Sequence, residues 1–506
     1  MSQARKQDSE SYPVHTNDTT TTTPPTTASH HNAFENMLNM DEIAREDAEI
    51  GRAEAGRDFK SPTGAFVSNN NNNNNTNHIN NDHDAVGLGE GLSTTITYSD
   101  PPTYEEGLGH RVRCHAKLLR NHQIGGKVTN IELFFDLVFV YAISVISETM
   151  VHHLVWEVVL EMLVVTLAIW WAWVFSTWVF NWFNPESYLV RLLLMALMLV
   201  NLIMSAFIGE AYGSQSLLFA GMYVLIQVGR NVAAVLALHG HKLQRNFIRL
   251  LSWFLMTAVL WLVGGAIGGT TRNVLWTVAI VLEYISPAAG FYTPGLGKSI
   301  STDWEIHGGH MAERCSLFII IALGESIVVT GEAFREAFHE PAGIGMFIVS
   351  FVGATAMWWI YFHTASSEAA EYVEHSADPG KMGRLAYTYI HVLMVIGIIW
   401  CAVADRISME DPYMVPHHEH DKMIYVAIMI GGPSLFVLGH ALFRRTFCSR
   451  IPAAHLMTVA ALICATPIGI FLPLWATALT TTILLVLLGA WESYFRCVIL
   501  PNPHTA

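Results

Sequence analysis

Charge is scarce in this chain. Only 14% of its 506 residues are Asp, Glu, Lys or Arg, against 52% hydrophobic residues, whereas about a quarter of a soluble globular domain is charged. Cysteine is scarce as well. The six cysteines (Cys114, Cys315, Cys401, Cys448, Cys464 and Cys497) fall singly, mostly in or beside apolar runs. They have neither paired zinc spacing nor the framework of a disulfide-stapled domain, and all six read as packing residues. The sequence lacks a phosphate-binding glycine loop, a nucleophile elbow and a carboxylate pair of fixed spacing, so an enzyme is the weakest class. The net charge of −14, drawn largely from an acidic first third, argues against a nucleic-acid partner. No secretory leader precedes the first long apolar run, so that run is expected to target the chain itself.

What is abundant is apolar sequence in blocks of bilayer length. From residue 131 onward the chain breaks into runs near 131–150, 155–181, 188–209, 216–238, 248–267, 273–292, 310–331, 341–363, 384–404, 422–444, 453–472 and 474–494. Each is long enough to cross a bilayer as a helix. The predicted fold class is therefore an all-α integral membrane protein of about twelve transmembrane helices, with the lipid bilayer as its first partner. Arg111, Arg113, Lys117, Arg120 and Lys127 precede the first span, and Lys242, Arg245, Arg249, Lys381, Arg384, Arg444, Arg445 and Arg450 fall in alternate loops. The excess of basic residues on one side places both termini in the cytosol.

The two halves echo each other in order. "ELFFDLVFVYAIS" returns as "ERCSLFIIIALGES", "WWAWVF" as "MWWIYF", "VRLLLMALM" as "GRLAYTYIHVLM", and "LEY" at 282–284 as "WESY" at 491–494. Six helices per unit make the duplication parallel, related by an axis along the membrane normal. The expected organisation is a disordered cytosolic tail over 1–109, a basic juxtamembrane segment over 110–130, a first six-helix repeat over 131–292, a cytosolic linker over 293–309, a second repeat over 310–494 and a short cytosolic C-terminus over 495–506.

The tail, with its threonine and asparagine runs, is too polar to bury a core. It holds one sharp motif, Pro101-Pro102-Thr103-Tyr104, the PPxY form of a WW-domain ligand, which presents a preformed polyproline II turn to an aromatic groove. The partner it implies is a WW-domain ubiquitin ligase.

"IELFFDLVFVYAIS", "HMAERCSLFIIIALGES", "WLVGGAIGG", the tryptophan pairs and "YIHVLMVIGI" resemble the low temperature requirement protein A (LtrA) family, its fungal long-tailed members above all, over about 127–494. In that family a histidine three residues before a glutamate and an A-L-G-E-S segment recur; here they fall on His310, Glu313, Glu325 and Ser326. Cys315-Ser316 stand where many members carry an aromatic residue and a glycine. The start of the first span is also loosely similar to the F-S-D motif of endolysosomal potassium channels built from a duplicated six-helix unit. Phe135-Asp136 matches with the serine missing, and Leu317-Phe318 in the second half brings no acid.

Acids at the threshold of an apolar helix need a reason. Thr129 and Glu132 have capping-box spacing, at a helix end whose dipole favours negative charge. Asp136 lies one turn deeper on the same face, out of reach of the free amides, and so predicts a buried cation. Arg230, near the middle of the fourth span, is the foremost expected partner, with Arg191 and Arg314 as others. Glu283 and Glu325 sit inside spans, where a charge costs on the order of 2.5–3.5 kcal/mol. Such residues are kept for pairing or for transport. Gly264, Gly265, Gly268 and Gly269, and Ala322, Gly324 and Ser326, have helix-packing spacing; His391 and His440 read as packing histidines.

Three functions follow. The first is a channel or transporter for a small inorganic ion, a proton or monovalent cation, using a network of Glu132, Asp136, Arg230, Glu283, Glu313, Arg314 and Glu325. The second is a non-transporting sensor or scaffold locked by those charges. The third is a metal-dependent membrane enzyme on the H-x-x-H-x-x-E face of His307, His310 and Glu313. No cofactor other than such a metal is expected.

Overall fold

The structure is a computed structural model that describes residues 118–120, 128–300, 304, 308–363, 372, 379–415, 419–448 and 450–495. The readings for the tail, the motif at Pro101, Pro102 and Tyr104, and His307 lie outside the described residues. Among the described residues twelve long helices follow one another: α1 Asn130–His152, α2 Trp156–Trp182, α3 Tyr188–Ala206, α4 Ser216–Ala237, α5 Gln244–Ile267, α6 Gly269–Ile285, α7 Gly308–Ala337, α8 Pro341–Phe362, α9 His391–Glu410, α10 Glu419–Phe447, α11 Ala453–Gly469 and α12 Leu474–Tyr494. Ten of the spans are long and apolar enough to cross a bilayer. The other two, α6 and α11, have 17 residues each, or about 26 Å at 1.5 Å per residue, which meets the lower bound for crossing. Among the described residues there is no strand.

The sixth span sits earlier than its apolar run predicts, at Gly269–Ile285 in place of 273–292. Gly268 (φ +75°) and Gly269 (φ +58°) make the turn out of α5 in a region that disfavours side chains, and Pro287 cannot extend the hydrogen-bond ladder beyond the far end. Glu283 therefore lies two residues from the end of α6 and not near its middle.

Sidedness shows the membrane logic. On α1, Glu132, Phe135, Asp136, Phe139, Ile143 and Ile146 are buried, while Phe134, Leu137 and Tyr141 are exposed. Leu189, Leu192, Met195, Leu199 and Leu202 likewise form an exposed apolar stripe on α3. Polar groups face the protein and hydrocarbon faces outward, as lipid demands.

The core is built around α2, where every residue from Ala168 to Trp182 is buried. It fastens the two halves together. Trp170 Nε1 donates to the Thr388 carbonyl (2.8 Å) and Trp178 Nε1 to the Thr388 hydroxyl (2.9 Å). Thr388 lies in a π-helical turn, Arg384–Ile390, that leads into α9. Such turns widen the ladder and often mark working sites.

Glycines set the tightest crossing, between α9 and α10. A methyl group added at Gly397 would lie 2.6 Å from Phe436 N and 2.7 Å from Gly432 O, so the backbones touch there. Gly264 and Gly265 behave as expected, with Trp276 and the Ser216–Leu217 backbone in the way of any side chain. Gly324 does not: nothing lies within 4 Å of its missing Cβ. Cys448 is disulfide-bonded, which departs from the reading of every cysteine as packing; Cys315 and Cys401 are free and buried.

Candidate functional site

The N-terminal ends of α1 and α7 meet in a buried lattice of charge. Glu132 has its capping role: Oε2 accepts from the Thr129 amide and hydroxyl, both at 2.9 Å. Its other oxygen does more than cap. Oε1 accepts from Arg120 Nη2 (2.9 Å), lies 2.8 Å from His310 Nε2, and is 3.4 Å from Arg314 Nη1. Asp136, one turn on, accepts from Arg314 Nη2 at 2.5 Å and from Trp173 Nε1 of α2 at 2.7 Å. The acids, His310 and Arg314 are all fully or almost fully buried.

Of the three arginines expected as partners of Asp136, it is Arg314 and not the foremost candidate, Arg230, that pairs with it. Arg314 fills that place, because the first turns of α1 and α7 abut and Arg314 stands one turn beyond His310 on the same helix face. Arg191 does not take part; its Nε donates to the Pro185 carbonyl. Arg230 serves a second network. It donates to Gln227 Oε1 (2.5 Å), Ser176 Oγ (2.9 Å) and the Ala172 carbonyl (3.2 Å), with the Phe175 and Phe254 rings about 6 Å away. Gln227 Nε2 in turn donates to Tyr223 Oη (2.9 Å), Tyr223 to Glu283 Oε2 (2.5 Å), and Trp261 Nε1 to Glu283 Oε1 (3.0 Å). Glu283 and Arg230 thus belong together but stand apart from Asp136.

In the α1–α7 lattice, the Asn181 amide lies 3.2 Å from His310 Nδ1, and Arg120 Nη2 lies 3.4 Å from His310 Nε2. Two carboxylates balance two guanidinium groups, which is how buried charge is tolerated. The balance is not saturation: among the described residues Asp136 Oδ2 and Arg314 Nε have no hydrogen-bond partner.

His310 and Glu313 do not converge. Glu313 is exposed and its Oε2 accepts from the Val128 amide at 3.1 Å, while both ring nitrogens of His310 face Glu132 and Asn181. Among the described residues no three His, Cys, Asp or Glu side chains are grouped to hold a metal.

Glu325 occupies the far end of the same pair of helices. It is 7% exposed and borders a cavity of about 80 Å³ with Ser144, Ser147 and Glu148 of α1, Glu332 of α7 and Arg406 of α9. Three carboxylates there face one guanidinium, which is itself paired with Glu410 at 3.0 Å. Sequence reading missed several members of these sites. Trp173 is one of six tryptophans in α2, and nothing in the run distinguishes it. Glu492 carried a usable signal, its echo of Glu283. It pairs with Arg444 on α10, and His455 Nδ1 of α11 lies 3.6 Å from its Oε1. His440 is more than packing, with Nδ1 at 2.8 Å from His455 Nε2.

Comparison with known proteins agrees with the architecture. Residues 127–490 match the family described as bacterial low temperature requirement A protein (LtrA). The uncharacterized protein RA0937 of Rhizobium meliloti (strain 1021) is 32% identical over 363 residues, covering 71% of this chain and 88% of that protein. No solved structure matches. With helices that span a bilayer and a match over nearly all of them, the chain is an integral membrane protein that belongs to the LtrA family.

Proposed function

We propose that this LtrA-family protein passes a proton or a monovalent cation along the seam between α1 and α7, the first helices of two six-helix units. One observation carries the reading: the same two helices hold charged or polar groups at both ends of the seam. Glu132, Asp136, His310 and Arg314 stand at one end, and Ser144, Glu148, Glu325 and Glu332 at the other. Between them, Phe139 and Ile143 of α1 and Phe318 and Ala322 of α7 are all buried. From Asp136 to Ser144 is eight residues and from Arg314 to Glu325 eleven, so the apolar barrier is about 12–16 Å long. Hydrophobic constrictions of this kind gate by excluding water, and the geometry corresponds to a closed state. With both termini in the cytosol, as the basic loops favour, the acidic cavity faces outward and concentrates cations.

A second reading is favoured by the charge balance of the inner lattice. A neutral, buried cluster makes a good lock, and a sensor or scaffold would need nothing else. Flux decides between them. Purified protein in liposomes, with proton- and potassium-sensitive dyes, is expected to carry flux that Glu325→Gln lowers at least about tenfold, a barrier change of roughly 1.4 kcal/mol, without loss of folded protein. Well-folded wild type that shows no flux across pH and both signs of potential would refute transport and leave the lock.

A further inference from the structure

A small polar cavity lies away from the α1–α7 seam, lined by α8, α9, α10 and α12. Its volume is about 30 Å³, room for one or two water-sized species, and its wall includes Gly353, Asp405, Met429, Pro433, Thr481 and Thr482. Four observations give it the chemistry of a cation site.

Asp405 brings a carboxylate into a span and forms no ion pair among the described residues; its neighbour Arg406 is turned to Glu410. Ser350, one turn from Gly353 on α8, is buried and turns its hydroxyl to that carboxylate, adding a second hard oxygen beside the cavity. Thr481 spends its proton on the Ala478 carbonyl (2.9 Å), so its oxygen is left as an acceptor, and Thr482 offers a second hydroxyl. Pro433, inside α10, has no amide, so the carbonyl of Met429 lacks its usual i+4 donor. The nearby Ser434 hydroxyl does not replace it, since it donates to Ile430 O at 2.7 Å.

We infer that this cavity binds one sodium-sized monovalent cation, held by Asp405, Ser350, Thr482 and the carbonyl freed by Pro433. The donors are hard oxygens, the class that suits ions of this kind, and freed helix carbonyls are used for sodium in membrane transporters. A single carboxylate balances a single positive charge, whereas a divalent ion would leave an excess in an apolar surround. The cramped α9–α10 crossing at Gly397 and Gly432 holds the walls together, so the site resists widening for a larger ion.

The test is thermal unfolding of the full chain in detergent, followed by tryptophan fluorescence, in sodium, lithium, potassium and choline chlorides at constant ionic strength. Sodium is expected to raise the midpoint saturably, with a half-maximal concentration at least about tenfold below that of potassium. Asp405→Asn should abolish the response, and Thr482→Val and Ser350→Ala should each move it to higher sodium. If Asp405→Asn does not yield folded protein, the two hydroxyl variants decide. Equal midpoints in all four salts, or an unchanged half-maximal concentration in both hydroxyl variants, would overturn the site. The cavity does not share its lining with the seam, so loss of sodium binding leaves the flux reading standing, and absence of flux leaves this site standing.

Discussion

Neutralising Asp136 removes the nearest counter-charge of Arg314 while sparing the shape of the site. In Asp136→Asn the Trp173 indole still finds an amide oxygen, so the change isolates one charge. At about 4 Å between charge centres and an effective dielectric near 20, the lost attraction is about 4 kcal/mol. Glu132 returns only part of it, since its Oε1 is 3.4 Å from Arg314 and already faces Arg120 and His310. The expected loss is about 3 kcal/mol, at the lower end of what a broken buried pair costs, or a fall in the apparent Tm of roughly 5–10 °C. The decisive arm is the double variant Asp136→Asn/Arg314→Gln. It removes both charges and leaves Glu132 with Arg120, so it should recover about half of the loss, as coupled partners do. Thermal unfolding of detergent-purified protein, scanned at one rate for every variant, gives the comparison. A single variant within 1 °C of wild type, or a double variant as unstable as the sum of the singles, would show that Asp136 and Arg314 are not a coupled pair.

Backbone packing gives a matched contrast. Gly397→Ala places a methyl group against Phe436 N and Gly432 O, neither of which can rotate away. It should cost about 1–3 kcal/mol or more, seen as lost monodisperse protein on size exclusion, whereas Gly324→Ala should be neutral. Tyr223→Phe removes the donor to Glu283 and should destabilise by about 1–3 kcal/mol, because it strands a buried acceptor; an unchanged melting curve would mean that Glu283 finds another donor. In the tail, Tyr104→Ala should lengthen protein lifetime in a chase experiment if the PPxY motif recruits a ligase, and an unaltered half-life would rule that role out.

Most of the fold was legible because lipid leaves a chain few options. A span must be helical and about twenty residues long, so apolar runs gave twelve helices whose ends mostly agree within a few residues. The exceptions are α6, misplaced where Gly268, Gly269 and Pro287 set the ends, α9, which begins at His391 after the π-helical turn Arg384–Ile390 and runs to Glu410, and α7, which continues to Ala337. The acids at the seam were legible for the opposite reason: buried charge is too costly to be idle. Which of the candidate arginines would partner them was not. A helix face can be read from spacing, but which faces abut is decided by packing across nearly two hundred residues, and that choice made Arg314 the partner and left Arg230 elsewhere. Asp405 went unnoticed because its companions are two threonines, a serine and a carbonyl, groups that signal nothing until four helices bring them together.

The two halves share more than their echoes of sequence. In the first, an arginine of the fourth helix reaches a glutamate of the sixth through Gln227 and Tyr223, and a side chain of the fifth, Trp261, completes the contact. In the second, Arg444 of the fourth helix pairs directly with Glu492 of the sixth, and His455 of the fifth stands beside it. The same three helices thus support the same polarity of charge, which favours the reading of a duplication. The chemistry within that frame differs: tyrosine, glutamine and tryptophan on one side, and a histidine pair on the other. Among the described residues of these two networks, histidines stand only in the second, where His440 and His455 lie ring against ring beside Arg444 and Glu492, so a common helical frame carries two different sets of polar partners.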